Sequence, residues 1–193
     1  MEYDVNKKEI ILNRELSKLD KFVLDFIKIL EKHIDYVIIS GYVSILLGRT
    51  RATEDIDVFI EKISLEKFSE FYEDAKEQGF ECINAEKTEE VFSYLKEGLA
   101  IRFSKENLPV PNFEIKFPKR EIDKETFNDF IIVILPEGKL KISSLERQVA
   151  FKKYYLKSEK DIEDASHIEE LFKDKLDYNK INKFKNIIKN IKT

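Results

Sequence analysis

Residues 39–61, ISGYVSILLGRTRATEDIDVFIE, join a small-residue turn, Ser40-Gly41, to an acidic strand. Read residues 51–60 as that strand. Successive side chains then alternate faces, so Arg51, Thr53, Asp55 and Asp57 point one way. Ile56, Val58 and Ile60 point the other way, into a core. Carboxylates two residues apart on one face lie about 6–7 Å apart at their Cα atoms. Hard cations such as Mg²⁺ take oxygen ligands, and this spacing suits bridging them. Two such ions about 3.5–4 Å apart form the clamp used for in-line phosphoryl or nucleotidyl transfer. The plain alternative is a solvent-facing acidic pair on an edge strand. Arg51 and Thr53 on the same face argue against it, because polar groups gathered on one side of a core strand usually line a site.

Upstream, residues 16–33 repeat apolar side chains at helical spacing. Residues 36–40, YVIIS, form an apolar run that marks a central strand buried on both faces. Gly41 lets the backbone turn sharply, and a short helix over residues 43–47 follows. Downstream, residues 65–78 form an amphipathic helix ending at Gly79. Residues 80–85 read as a strand, and residues 88–97 as a helix stopping at Gly98. Residues 99–104 and 112–119 alternate in strand fashion on either side of the turn-rich ENLPVPN, and residues 130–135 form another strand. From residue 143 the pattern turns helical, over 145–156, 160–172 and 179–191. The expected plan is an α/β domain over residues 1–140, including the first helix. A C-terminal helical part over residues 141–193 packs on it.

The chain has 193 residues, 42% of them hydrophobic and 37% charged. That length suits one domain with a helical appendage. A net charge of −4 argues against wholesale electrostatic binding of nucleic acid but leaves room for a local basic groove. The single cysteine, Cys82, excludes an intrachain disulfide and fits a reducing setting. It reads as an ordinary strand residue. No apolar run approaches the ~20 residues of a membrane span, and the charged start MEYDVNKKE lacks a signal-peptide core. The expectation is a cytoplasmic protein with no membrane partner. His33 and His167 stand outside any zinc-ligand spacing and read as structural. The chain contains no P-loop and no G-x-G-x-x-G run, so P-loop and dinucleotide-binding readings fall away.

The run Arg51-Ala-Thr53-Glu-Asp55-Ile-Asp57, placed after an apolar strand and a Ser-Gly turn, resembles the nucleotidyltransferase superfamily with its DNA polymerase beta-like fold. Within it the run is similar to the branch of abortive-infection-type nucleotidyltransferase toxins. The resemblance implies a mixed β-sheet core with a C-terminal helical bundle, of α/β (α+β) class. It implies that Asp55 and Asp57 bind Mg²⁺, as one ion or two, and that Ser40 and Gly41 seat the triphosphate of an NTP. Bulky Tyr42 follows where the family favours a small pair. A third carboxylate is expected from a neighbouring strand. The candidate is Glu114, which shares one face with Lys116 while Phe113, Ile115 and Phe117 share the other. The family commonly has Asp there. As a ligand or base, Glu114 would take the acceptor's proton; otherwise it pairs with Lys116 or another neighbour.

Arg49 and Arg51 suit triphosphate oxygens, because Arg forks match phosphate. They suit pairing with Glu54 and the aspartates equally well. Thr53 fixes the strand or an Asp rotamer. Lys152, followed by the Lys160-Asp161 pair, matches a lysine of the related toxins that reaches phosphate; the alternative is an exposed helical lysine. Asp161 and Asp164 read as helix N-terminal charges favoured by the dipole. Together these imply Mg²⁺-dependent transfer of NMP from an NTP to a tRNA end, a protein hydroxyl or a small molecule. An antitoxin protein is the implied partner. Two other readings stay open: a degenerate fold that binds a nucleotide or protein, and a metal-dependent phosphohydrolase.

Overall fold

In the computed structural model, residues 1–191 are described. Lys192 and Thr193, at the end of the expected helical part, lie outside the described residues. The chain begins with a small hairpin, β1 (Glu2–Asp4) and β2 (Glu9–Ile11), followed by helix α1 (Lys18–His33). Then come β3 (Tyr36–Ile38), α2 (Gly41–Leu46), β4 (Asp55–Ile60), α3 (Leu65–Glu77), β5 (Phe80–Cys82) and α4 (Thr88–Lys96). Next are β6 (Ile101–Lys105), β7 (Leu108–Lys116), the single turn α5 (Glu121–Lys124), β8 (Phe130–Leu135) and β9 (Gly138–Ser143). Helix α6 (Leu145–Ala150) runs on as a π-helical turn, Phe151–Leu156, before α7 (Glu159–Leu171) and α8 (Tyr178–Ile191). The architecture is mixed α/β, as expected.

Among the described residues, nine strands form one mixed sheet in the order β1-β2-β8-β9-β3-β4-β7-β6-β5. The burial of β4 explains its place in the interior. Ile56, Val58 and Ile60 are fully buried on one face, where α1 and α3 cover the sheet. Phe26 of α1 stacks on Phe113 of β7 at 4.1 Å and meets Phe71 of α3 edge-on. Such aromatic packing adds to the apolar burial that holds a helix on a sheet. The opposite face of β4 and β7 carries the polar side chains. β3 is buried along its whole length, as its apolar run requires.

Several sequence expectations change. The acidic strand begins at Asp55, not at residue 51, so Arg51 and Thr53 do not share the aspartates' strand face. Residues 48–54 form an irregular connection in which the Thr53 hydroxyl donates to the carbonyl of Asp55. Such side-chain bonds to nearby backbone compete with the ladder. β4 pairs on both sides, antiparallel with β3 and parallel with β7, so it is not an edge strand. The ENLPVPN segment contributes mostly strand, since β7 starts at Leu108. β1, β2 and β9 had no sequence counterpart. β9 follows directly on β8 and pairs with β3, so the sheet continues through Ser143.

Two buried carboxylates fasten the layers. Asp20, at the start of α1, accepts from Arg14 at 2.7 and 3.2 Å, from the Ser17 hydroxyl at 2.7 Å and from the Tyr42 hydroxyl at 2.9 Å. Tyr42 therefore turns into the core, fully buried, and leaves the Ser40-Gly41 turn clear. The second is Asp164, fully buried in the middle of α7. It accepts from Arg49 Nε at 2.7 Å, from Arg51 and from Lys152 Nζ at 2.8 Å. It is thus a tertiary anchor joining α7 to the α2–β4 connection and to the π-helical turn, not a helix N-terminal charge. Burial alone would raise the Asp164 carboxyl. The hydrogen bond and charge of Lys152, with Arg51 and Arg49, outweigh it and hold the group below the usual carboxylate range.

Tyr42→Phe removes one donor to a buried carboxylate and should cost about 1.5–3 kcal/mol, read by urea denaturation. Asp164→Asn leaves buried cations without their counter-charge and should cost about 3–5 kcal/mol. The pH sign follows from linkage. A carboxyl lowered in the folded state contributes stability above its unfolded value of about 3.9, and that stability is lost as pH falls through the lower folded value. Below pH 4 the stability of the wild type should therefore fall more steeply with pH than that of Asp164→Asn. Equal slopes in acid denaturation curves would remove Asp164 from this role.

Candidate active site

The parallel pairing of β4 and β7 fixes the site. Their register sets Asp55 beside Asn112, Asp57 beside Glu114 and Phe59 beside Lys116. Adjacent strands lie about 4.7–4.9 Å apart, so Asp55, Asp57 and Glu114 share one small patch of one face. β6 extends it, with Arg102 opposite Glu114 and Ser104 opposite Asn112. Each carboxylate has a partner. The Asn112 amide donates to Asp55 at 3.2 Å, Lys116 Nζ donates to Asp57 at 2.8 Å, and Arg102 Nε donates to Glu114 at 3.0 Å. Glu114 therefore pairs with Arg102, and Lys116 crosses to the neighbouring strand. Asn112 Oδ1 is buried without a hydrogen-bond partner beside Asp55.

Among the described residues, no three His, Cys, Asp or Glu side chains converge as a ready metal cage. The donor set is nonetheless all oxygen, which suits a hard divalent cation. Mg²⁺ in particular is usually held by one or two carboxylates together with waters and substrate phosphates, rather than by an all-protein cage. Asp55 is exposed and Asp57 partly so, which leaves room for such ligands. The residues fit the ion.

A cleft of about 500 Å³ opens beside these strands, between the sheet and α6 with its π-helical turn. Ser40, Asp57 and Phe59 line its sheet side; Gln148, Phe151, Lys152 and Tyr155 line the helical side. Lys116, Lys119, Arg120, Arg147 and Lys152 bring five cations to it, against Asp57 and Asp123. The local charge is therefore positive although the chain is acidic overall. Lys152 belongs to this set but is buried, 1% exposed, and paired with Asp164, so it is not an exposed helical lysine.

Arg49 and Arg51 turn to Asp164 and Glu163 rather than to Glu54 or the aspartates. The Arg51 guanidinium still packs close to Gly41; a Cβ there would meet it at 3.1 Å. A larger residue there would require the guanidinium to shift by a few tenths of an ångström. Ser40, just before it, holds φ at +63°. For a non-glycine residue that is a sparsely populated conformation costing of order 1–3 kcal/mol, and such strain clusters at functional turns. The arginines thus bind the turn to α7 and do not line the cleft.

Sequence reading missed Arg120 and Arg147. Arg120 is held by Asp123 at 2.8 and 2.9 Å and stacks over Tyr155 at 4.5 Å. Arg147 donates to the Ile122 carbonyl, lies over Phe184 at 4.5 Å and is nearly buried. Burial pushes its guanidinium down from its usual value, with Asp129, Glu125 and Asp123 opposing. Neither residue sits in a motif. The histidines lie elsewhere: His33 contacts Asp74 at 3.0 Å and His167 the Leu47 carbonyl at 3.1 Å. Cys82, on β5, has its thiol pushed up by burial, opposite to what a nucleophile needs.

No protein-family model matches the chain, and no curated protein sequence matches it. Solved structures do. The chain is similar to an antigenic nucleotidyltransferase-like protein from Paracoccidioides brasiliensis, with a TM-score of 0.55 and 17% identity over 91% of this chain and 88% of that one. It is similar to the solution structure of the antibiotic-resistance factor ANT(2″)-Ia, with a TM-score of 0.53 and 14% identity over 88% and 90%. It also matches ANT(2″)-Ia in complex with adenylyl-2″-tobramycin, with a TM-score of 0.53 and 11% identity over 92% and 100%. At these identities the likeness is one of fold: the chain has the architecture of nucleotidyltransferase-like proteins over nearly its whole length.

Proposed function

We propose that this protein is a Mg²⁺-dependent nucleotidyltransferase, moving NMP from an NTP to an acceptor hydroxyl. One observation carries the reading: Asp55 and Asp57 on β4 stand beside Glu114 on β7, next to a cation-lined cleft. The shared fold with nucleotidyltransferase-like proteins supports it. An NTP brings about four negative charges, and a cleft of this sign attracts them. Its size is within the range of small-molecule sites.

Asp55 and Asp57, with Glu114, would hold Mg²⁺, and the bound cations would neutralise charge on the attacking and leaving oxygens. The Ser40-Gly41 turn would seat the triphosphate through backbone N–H groups. Lys152, with the cations of the cleft, would meet the remaining phosphate charge. The acceptor oxygen attacks the α-phosphorus and its proton passes to Glu114. The bond to the β-phosphate oxygen breaks and pyrophosphate leaves. Arg102 keeps Glu114 oriented for this role. The structure with adenylyl-2″-tobramycin concerns a small-molecule acceptor. For this chain a tRNA end, a protein hydroxyl and a small molecule are all compatible, and a toxin paired with an antitoxin is the setting that the Arg-x-Thr-x-Asp-x-Asp run favours.

The test is incubation with each α-labelled NTP, Mg²⁺ and candidate acceptors. Pyrophosphate release with a labelled acceptor is expected. Release of inorganic phosphate alone would indicate a phosphohydrolase, and binding without turnover a degenerate fold. The double substitution Asp55→Asn, Asp57→Asn should remove Mg²⁺-dependent turnover by at least about a hundredfold while preserving the fold, because it removes the carboxylates that anchor the metal. Parental turnover in that variant would sink the metal assignment.

A further inference from the structure

Lys116 stands in an unusual position. It lies on β7 two residues after Glu114 and on the same face, but its ammonium crosses to β4 and donates to Asp57 Oδ1 at 2.8 Å. Its side chain is 30% exposed and lines the same cleft as Ser40 and Lys152. A cation already holds one oxygen of the aspartate that the proposed function assigns to metal.

A Mg²⁺ ion on that oxygen would sit about 2.0–2.1 Å from it, within a few ångströms of the ammonium. Two positive centres that close, in a partly buried site, repel strongly. Metal and ammonium therefore compete for that oxygen of Asp57. The four-carbon stem of lysine lets its compact charge swing, where an arginine fork would be held by geometry. Arg102 on Glu114 and Arg120 on Asp123 are such fixed forks. Of the other cleft lysines, Lys119 lies over Gly98, and Lys152 is buried against Asp164. Among the described residues, Lys116 is the lysine that joins a partly exposed charge to a carboxylate of the proposed metal set; Arg102 does so as a fixed fork.

We infer that Lys116 is an exchangeable counter-ion. It neutralises Asp57 when metal and nucleotide are absent, and it leaves Asp57 for the triphosphate when both arrive. The inference rests on the metal reading of Asp57. Its consequence is coupling: the ammonium suppresses binding of metal alone, and its release adds a phosphate contact. Such linkage is reciprocal, so each ligand favours the other by the same factor. The site would then load metal together with NTP instead of holding free cations.

The experiment compares wild type, Lys116→Met, Lys116→Gln and Asp57→Asn, with folding checked by circular dichroism. Mn²⁺ binding alone is followed by the loss of the free-ion electron paramagnetic resonance signal. Inorganic tripolyphosphate, whose use needs no knowledge of the base, is titrated by calorimetry both without metal and with Mn²⁺ present. Lys116→Met and Lys116→Gln should tighten Mn²⁺ binding about tenfold, within the usual range of coupling between sites, and weaken tripolyphosphate binding. The signature is the coupling: tripolyphosphate should tighten Mn²⁺ binding more in wild type than in either Lys116 variant, because a lysine that stays in place changes each affinity without changing how one ligand affects the other, and equal coupling in all three overturns the exchange. Unchanged Mn²⁺ affinity in both Lys116 variants, with binding lost in Asp57→Asn, overturns the exchange while leaving the metal reading intact. Failure of wild type and both Lys116 variants to bind Mn²⁺ overturns the metal reading and the exchange with it.

Discussion

Everything chemical in this molecule depends on β4 and β7 lying side by side and parallel. Parallel neighbours cannot be joined by a tight turn. The chain instead leaves β4, crosses through α3, β5 and α4, and returns through β6 before β7 is laid down. That detour covers the sheet with aromatic side chains on one face and leaves the other face polar. It also sets the register, and a slip of one residue would exchange the two faces. Asp55, Asp57, Asn112, Glu114 and Lys116 share a face only because Phe113 and Ile115 are committed to the opposite one.

The carboxylates of the site are paired before any ligand arrives. Lys116 meets Asp57, Arg102 meets Glu114, and Arg120 meets Asp123. Deeper in, Asp164 collects three cations from two separate segments. The two levels differ in kind. Asp164 and Lys152 are buried, so removing either leaves charge in a poor solvent, while Arg49 and Arg51 reach them from partly exposed positions. The pairs around the cleft are partly open to water, where ion pairs are weak and exchange readily. Rigidity at the back of the cleft and exchangeable charge at its front follow from that difference in exposure.

How much of this could be read from the chain depends on how local the signal is. The alternation Ile56, Val58, Ile60 against Asp55, Asp57 is complete within six residues, and it placed both carboxylates on one face. The pattern of residues 112–117 placed Glu114 opposite Phe113 and Ile115 for the same reason. The start of the strand was misjudged because Arg51 and Thr53 continue the alternation in sequence, whereas their side chains are engaged elsewhere, by Asp164 and by the Asp55 carbonyl. Lys152 and Lys153 are adjacent and locally equivalent, yet one is buried on Asp164 and the other is half-exposed on Glu169. Only tertiary contact separates them. β9 carries its own alternation, Leu140 and Ile142 buried between lysines, but six residues directly after another strand are easily read as its tail. Arg120 and Arg147 reach the cleft through the path of the chain alone.

The hairpin β1–β2 is held by distant parts of the molecule. β2 pairs with β8, Tyr3 meets Phe172 edge-on at 5.5 Å, and the Tyr3 carbonyl accepts from Lys175. During synthesis β2 can pair with β1 at once, but its other edge has no partner until β8 has been made. Pairings between segments so far apart in sequence are slow to form and leave strand edges open in the meantime. While its chain is still growing, the protein must carry an unpaired edge beside a half-built polar face. Its aggregation risk is then greatest before β8 emerges, at a stage when α6 has not yet been made and the cleft does not exist.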